Sequence, residues 1–172
     1  MKIVDCTRQH AAEILAIFNH AILTSTALYD YQERTTAAME AWFDAKEKGK
    51  FPVIGVIAEG GALAGFASYG AFRPHAAYKY SVEHSIYVRH DQRSRGIGKM
   101  LLRELIVRAE GQGYHMMIGG IDSSNAASIR LHVGLGFTHC ASIKHAGFKF
   151  GRWLDLEFYQ RILRTPENPA DG

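Results

Sequence analysis

The fold is decided by residues 82–102, which read Val82-Glu83-His84-Ser85-Ile86-Tyr87-Val88-Arg89-His90-Asp91-Gln92-Arg93-Ser94-Arg95-Gly96-Ile97-Gly98-Lys99-Met100-Leu101-Leu102. The stretch begins as a run of β-branched and aromatic residues, which predicts a strand. A short polar turn follows, and then an amphipathic helix opens with Gly96 and Gly98 at its first turn. The sequence therefore predicts a strand, a glycine turn and a helix in immediate succession.

The glycine turn is suited to binding a phosphate. Glycines let the backbone approach a ligand, the first N–H groups of the helix have no intrahelical partner, and the helix dipole favours an anion there. The turn is not a P-loop, because Met100 follows Lys99, and not a dinucleotide fingerprint, because residue 101 is Leu. The alternative is a basic helix start whose glycines serve only the turn geometry.

Composition favours a single globular domain that binds a small anion. The chain has 172 residues, of which 47% are hydrophobic and 22% charged. Its net charge is +3, with the positive residues concentrated at 89–108, which favours one polyanionic small molecule over nucleic acid. Two cysteines without a Cys-x-x-Cys spacing argue against a disulfide scaffold or a zinc ribbon. Without a cleavable apolar segment or a membrane-length run, we expect a cytoplasmic protein with no membrane partner.

The order of the remaining elements predicts an α+β fold with a mixed sheet. Strands are expected at 2–6, 53–58, 63–70, 78–88, 115–121, 137–146 and 151–160, and helices after Thr7, after a cap at Thr35 or Thr36 through about Lys48, at 96–112 and at 125–134. Gly60 and Gly61 are expected to supply the positive φ angles of the first hairpin turn. The sheet should be antiparallel early and parallel where the long helix crosses over. Residues 164–172 are expected to form a flexible tail.

Two motifs carry a resemblance to a known family. Arg93-x-x-Gly96-x-Gly98 after a strand resembles the acetyl-CoA motif of the GNAT family of N-acetyltransferases, and Asn125-x-x-Ser128-x-x-Leu131-His132-x-x-x-Gly136-Phe137 resembles their second cofactor motif. Stretches at 24–29, 72–73, 77–78, 81–88 and 146–155 are similar to the phosphinothricin and methionine sulfoximine acetyltransferase branch. The resemblance covers residues 2–163. It implies one domain over residues 1–163 with the GNAT fold, about seven mixed strands flanked by about four helices.

The resemblance implies acetyl-CoA as co-substrate and no metal. In such enzymes the pyrophosphate lies on the amides of the glycine turn, and the pantetheine arm adds like a strand to the preceding main chain. A backbone N–H near Val88 would then stabilise the oxyanion. The cofactor-binding residues carried over are Ile86, Tyr87, Val88, Gln92, Arg93, Ser94, Arg95, Gly96, Ile97, Gly98, Lys99, Asn125 and Ser128. The residues alone favour a helix cap at Asn125 and an exposed Ser128.

Two residues are candidates for acid–base catalysis. An amine must lose a proton to attack a thioester, and Glu83 is the candidate base, because a carboxylate on a mostly apolar strand is costly to bury unless paired or functional. His132 stands where many family members have Tyr and is the candidate for protonating the thiolate. A solvent-facing Glu83 and a structural His132 are the alternatives. Strand alternation should turn the His84 side chain to the other face, away from the catalytic centre.

A substrate with its own carboxylate needs a cation, and Arg73 is best placed for that pairing. The predicted substrate-binding residues are Tyr29, Arg73, Pro74, His75, Tyr78, Val82, Glu83 and His84. Tyr29 could equally be an aromatic residue at the edge of the core. Related enzymes often have Arg where this chain has His75, which leaves the preferred amino acid open. Residues 149–155 resemble a loop that lies near a neighbouring subunit's active site in relatives, which implies a homodimer.

The predicted reaction is acetyl transfer to the α-amino group of a small amino acid or analogue, directly in a ternary complex. The analogues are of the phosphinothricin, methionine sulfoximine or methionine sulfone type. Transfer to a peptide or protein N-terminus and a non-catalytic acyl-CoA sensor are the alternatives. Glu83 and Arg73 favour the enzyme, because a sensor needs neither a base nor a carboxylate clamp.

Overall fold

A computed structural model describes residues 1–171. Its strands are β1 (Lys2–Asp5), β2 (Val53–Ile57), β3 (Leu63–Ala71), β4 (Ser81–Val88), β5 (Met116–Asp122), β6 (Thr138–Lys149) and β7 (Arg152–Ile162). Its α-helices are α1 (Ala11–Thr24), α2 (Thr36–Lys48), α3 (Ile97–Gly111) and α4 (Ala126–Val133). Short 3-10 helices span Arg8–His10, Ala76–Tyr78 and His90–Gln92.

The strands form one mixed sheet in the order β1-β2-β3-β4-β5-β7-β6. Strands β4 and β5 are parallel, whereas β1 with β2, β2 with β3, β5 with β7 and β6 with β7 are antiparallel. The predicted α+β class and mixed sheet are confirmed. The parallel register ends with the pair Glu83 and Ile118, so Ile86 to Val88 lie beyond its last pair.

Contacts divide the chain into two compact units. The first comprises Met1–Ser68 and Ile86–Leu102, and the second comprises Tyr69–Ser85 and the chain from Arg103 onward. The core of the first unit centres on Phe18 of α1, whose ring lies 4.8 Å from that of Phe66 and 4.9 Å from that of Tyr87. Burying one such side chain contributes about 2 kcal/mol. Thr35 caps α2 by accepting a hydrogen bond from the Ala38 N–H at 3.2 Å.

The second unit is built on the antiparallel strands β5, β7 and β6. Buried apolar residues of α3 and of these strands form its interior: Leu105, Ala109, Met117, Ile121 and Leu154. Strand β4 and helix α3 each contribute residues to both units. The predicted single domain remains a prediction.

The structure corrects three details of the sequence prediction. The strand predicted from residue 78 begins at Ser81, because Ala76–Tyr78 forms a 3-10 helix. In the first hairpin only Gly61 has a positive φ, at 84°. Thr7 caps the 3-10 helix Arg8–His10, and α1 begins only at Ala11.

The C-terminal segment from residue 164 to residue 171 contains no helix or strand. The Thr165 hydroxyl donates to the Tyr114 carbonyl at 2.5 Å, and the Ala170 N–H donates to the Tyr80 hydroxyl at 3.1 Å. The flexibility of this tail stays a prediction, and Gly172 lies outside the described residues. Within residues 1–171, no helix has the length and apolar character needed to cross a bilayer.

Candidate active site

The predicted phosphate cradle, residues 92–98, joins the 3-10 helix His90–Gln92 to the start of α3 at Ile97. Two of its residues have left-handed backbone conformations, Ser94 with φ 63° and Gly96 with φ 78°. A left-handed residue with a side chain costs roughly 1 kcal/mol, which glycine avoids. Because α3 begins directly after this turn, its first N–H groups have no intrahelical partner. The turn has the geometry that an anion requires.

Charge surrounds the cradle. Arg93, Arg95 and Lys99 are exposed on it. Arg89 lies 2.7 Å from Asp91, and its guanidinium holds the pKa of that carboxyl at about 2. The exposed cations give residues 92–99 the chemistry needed to hold a diphosphate.

The end of β4, which precedes the cradle, packs closely against β3. A Cβ on Gly65 would lie 2.8 Å from the Tyr87 carbonyl oxygen and 3.2 Å from the Val88 Cα. The Arg89 N–H donates to the Ala64 carbonyl at 2.9 Å. Only glycine fits at position 65, so this residue fixes the backbone of the predicted pantetheine contacts. Sequence reasoning missed it, although a glycine inside a strand often marks a close backbone approach.

The predicted base and the predicted cation lie together. Arg73 Nη1 is 3.8 Å from Glu83 Oε2, with side chains 49% and 39% exposed. Arg73 also donates to the Phe72 carbonyl at 2.7 Å and lies 4.2 Å from the centre of the Phe72 ring, which fixes its orientation. Burial raises the pKa of Glu83, and the charge of Arg73 opposes part of that rise. A carboxylate with a raised pKa accepts a proton more readily.

The loop around Arg73 contains the other predicted substrate contacts. Pro74, His75 and Tyr78 are exposed, and the Tyr78 ring packs edge-on against Phe72 at 5.6 Å. The Val82 side chain is fully buried in the core, so only its main chain could contact a substrate. Tyr29 belongs to the first unit and is partly buried. The substrate roles of these residues stay predictions.

The two central histidines lie together on the opposite face of β4 from Glu83. The Nε2 atoms of His84 and His132 are 3.2 Å apart, and the rings stack at 5.0 Å. The Phe137 ring packs edge-on against both. The prediction that the His84 side chain lies away from the predicted catalytic residues is wrong for His132. Alternation does separate His84 from Glu83, but α4 brings His132 to the face that His84 occupies.

Two adjacent glycines of β5 make room for these groups. A Cβ on Gly119 would lie 2.8 Å from His84 Nε2 and 3.2 Å from His132 Nε2. A Cβ on Gly120 would lie 3.7 Å from Glu83 Oε1 and 3.2 Å from Leu156 Cδ1. Sequence reasoning missed both residues, although a Gly-Gly pair inside a strand is an available signal. One glycine clears space beside the histidines and the other beside the carboxylate.

The second predicted cofactor motif forms the start of α4. Asn125 is the N-cap, and its side-chain oxygen accepts from the Ser128 N–H at 3.1 Å. The Ser128 carbonyl lies 2.7 Å from His132 Nδ1, and Ser128 is partly buried rather than exposed. The structure therefore confirms that Asn125 caps α4. The cofactor roles of Asn125 and Ser128 stay predictions. In the part of the chain that the structure describes, no three His, Cys, Asp or Glu side chains form a metal-binding cluster.

Comparison with known proteins identifies the class. The sequence model of the acetyltransferase (GNAT) family matches residues 16–137. The chain belongs to the GNAT family, and its α+β architecture is the GNAT fold, as predicted. A Pseudomonas paraeruginosa protein, L-methionine sulfoximine/L-methionine sulfone acetyltransferase, is 46% identical over 150 residues, 87% of each chain.

Two similar solved structures contain acetyl-CoA. An acetyltransferase from Salmonella typhimurium with its cofactor acetyl-CoA is 40% identical, with a TM-score of 0.94 over 99% of this chain and 98% of that one. A phosphinothricin acetyltransferase from Sinorhizobium meliloti in complex with acetyl-CoA is 35% identical, with a TM-score of 0.94 over 98% of this chain and 91% of that one. The predicted branch of the family is thereby confirmed.

Proposed function

We propose that this protein transfers the acetyl group of acetyl-CoA to the α-amino group of a small amino acid or analogue, directly in a ternary complex. The preferred analogues are of the methionine sulfoximine, methionine sulfone or phosphinothricin type, as the names of the relatives suggest. One observation carries the proposal. Strand β4 bears a carboxylate of raised pKa beside an arginine, and the same strand continues into a glycine turn at a helix N-terminus.

The chain's own groups divide the work of binding the acetyl donor. The amides of residues 92–98 hold the diphosphate with Arg93, Arg95 and Lys99, and the main chain of Ile86 to Val88 pairs with the pantetheine arm. Acetyl-CoA supplies the acetyl group as a thioester. Glycine at position 65 keeps the Tyr87 and Val88 backbone in place, so the Val88 N–H can stabilise the oxyanion.

Glu83 and Arg73 handle the amino acid. A free α-amino group is largely protonated at neutral pH, so attack requires that its proton be removed. Glu83 accepts this proton, directly or through water, and Arg73 pairs with the substrate carboxylate. Because Arg73 already lies near Glu83, the carboxylate and the amine of one small amino acid would occupy neighbouring positions.

The thiolate that departs must gain a proton. His132 is the proposed source. Burial lowers the pKa of His132, so the ring is neutral at rest. It must take up a proton before it can donate one. The amine proton goes to Glu83, which returns it to solvent, and His132 takes up a proton from solvent to replace the one that it gives to the thiolate.

The test is a substrate panel with release of the CoA thiol as the readout. We expect release with methionine sulfoximine, methionine sulfone or phosphinothricin, and with selected free amino acids. With the amide of the best substrate we expect KM to be about fivefold higher, because the amide has no carboxylate to pair with the half-exposed Arg73. The variant Arg73→Met should raise KM for the free amino acid about fivefold, a modest effect because the guanidinium is half exposed. Equal activity on peptides would favour an N-terminal acetyltransferase, and no release with any amine would favour the sensor.

We also propose a cytoplasmic homodimer. Near the turn between β6 and β7, the apolar side chains of Phe150 and Trp153 are 57% and 58% exposed. Exposed aromatic residues close together are typical of protein interfaces. Sedimentation velocity should give the mass of two chains, and Trp153→Ser should shift the protein toward one. A single-chain mass at micromolar concentration would contradict the dimer.

A further inference from the structure

The contacts of the two buried histidines fix where their protons are. His132 Nδ1 lies 2.7 Å from the Ser128 carbonyl oxygen. A carbonyl only accepts hydrogen bonds, so this nitrogen must carry a proton. Burial lowers the pKa of His132, so the ring is neutral and its Nε2 atom bears a lone pair.

The protonated nitrogen of His84 can be inferred from that of His132. His84 Nε2 is 3.2 Å from the bare His132 Nε2, and two lone pairs facing each other at that distance would repel. His84 therefore donates through Nε2–H. Burial and the neighbouring ring lower the pKa of His84 to about 3, so its Nδ1 atom is unprotonated. The Nδ1 atom of His84 is buried and has no hydrogen-bond partner among the described residues. Leaving a buried acceptor unsatisfied costs free energy, so the packing around His84 must hold the ring in this orientation.

Neighbouring residues hold the rings in this arrangement. Gly119 leaves the space that both Nε2 atoms occupy, and Phe137 packs edge-on against both rings. Both nitrogens of His132 are consequently engaged inside the protein, one with Ser128 and one with His84. The orientation of His132 thus depends on a residue of β4 that neighbours the proposed base.

We propose that His84 is a positioning residue for His132: the Ser128 carbonyl fixes the Nδ1–H tautomer of His132, and the His84 Nε2–H donates to the remaining Nε2 lone pair and so holds the ring in place. The inference rests on the proposed function for its catalytic consequence, whereas the tautomer itself does not. Loss of the donor leaves the buried Nε2 of His132 unsatisfied, so that of the two hydrogen bonds only the one to the Ser128 carbonyl still orients the ring.

The experiment compares two substitutions of similar volume in the full-length protein. His84→Gln keeps an N–H donor near the position of Nε2, and His84→Leu removes it. Nitrogen-15 NMR of the imidazole rings at neutral pH reports the tautomers without any substrate. We expect the Nδ1–H form for His132 and the Nε2–H form for His84 in the parent protein. His132 should keep the Nδ1–H form in both variants, because the Ser128 carbonyl remains. The resonance of its unprotonated Nε2 should stay near the parental position in the Gln variant and shift in the Leu variant, where that nitrogen has lost its hydrogen bond.

Kinetics supply the second readout. His84→Leu should lower kcat about tenfold with little change in KM for either substrate, and His84→Gln should restore most of kcat. Finding the Nε2–H form of His132 in the parent protein would overturn the inference. So would a folded Leu variant with unchanged kcat, or a Gln variant as impaired as the Leu variant. Failure of the proposed function looks different: no amine is acetylated by the parent protein, while the NMR tautomers remain as expected.

Discussion

Glu83 and His84 are neighbours in the sequence, but they have contrasting environments on the two faces of β4. The Glu83 side chain is 39% exposed and lies near Arg73, whereas His84 is 8% exposed and stacks on His132. Burial raises the pKa of the acid and lowers the pKa of the imidazole, in each case favouring the neutral form. Burial thus makes Glu83 a stronger base on one face of β4 and keeps the His84 and His132 rings neutral on the other.

The largest effect is expected from the Glu83 face. Glu83→Gln keeps the size of the side chain but removes the base, so kcat should fall about 100-fold or more. Affinity for CoA, measured by titration calorimetry, should stay nearly constant because the cradle is untouched. In the parent protein kcat/KM should fall as the pH is lowered toward the pKa of Glu83, which burial raises from its ordinary value.

The control for this prediction is the same pH profile in the Gln variant. Its residual activity should lack the acid limb that belongs to Glu83. Unchanged turnover in Glu83→Gln would remove this residue from the mechanism.

The two glycines of β5 allow each face to be disturbed separately. Gly119→Ala places a methyl group 2.8 Å from His84 Nε2, and overpacking of this kind costs about 2 kcal/mol of unfolding free energy. Gly120→Ala places a methyl group 3.2 Å from Leu156 Cδ1, 3.4 Å from Phe158 Cε1 and 3.7 Å from Glu83 Oε1, and should cost less than about 1 kcal/mol. Urea unfolding of both variants gives the comparison. Equal destabilisation would mean that the histidine pair is not tightly confined.

Lowering the pH should reduce the free energy of unfolding through His84, by less for each pH unit than the cost of Gly119→Ala. The pKa of His84 is about 3 in the folded protein against an ordinary 6.5, so between these values the unfolded chain binds more protons. The contribution of neutral His84 to the free energy of unfolding is fully present above pH 6.5. As the pH falls from 6.5 toward 3, it decreases by about 1.4 kcal/mol for each pH unit.

Urea unfolding at a series of pH values from about 7 to about 4 measures this slope. His84→Leu should show a shallower decline, because the group that titrates is gone. Parallel declines in the two proteins would show that His84 contributes nothing to acid sensitivity.

Much of the fold and part of the site could be predicted from the sequence. The glycine turn before α3, an N-cap at Thr35 or Thr36 and the strand bearing Glu83 follow from local chemistry, because backbone angles and helix ends depend on nearby residues. The sequence assigned Glu83 and Arg73 two roles toward one substrate, but it did not predict that the two side chains contact each other. The spatial pairing of His84 with His132 was missed, because 48 residues separate them in the chain.

The sequence by itself determined which groups are available: a carboxylate and an imidazole at consecutive strand positions, a basic glycine turn and a capped short helix. Alternation along β4 already assigned Glu83 and His84 to opposite faces. Only the tertiary structure decided that α4 covers the His84 face and that Gly119 gives both rings room. Those outcomes depend on packing between segments distant in sequence, whereas local periodicity specifies only which way each side chain points.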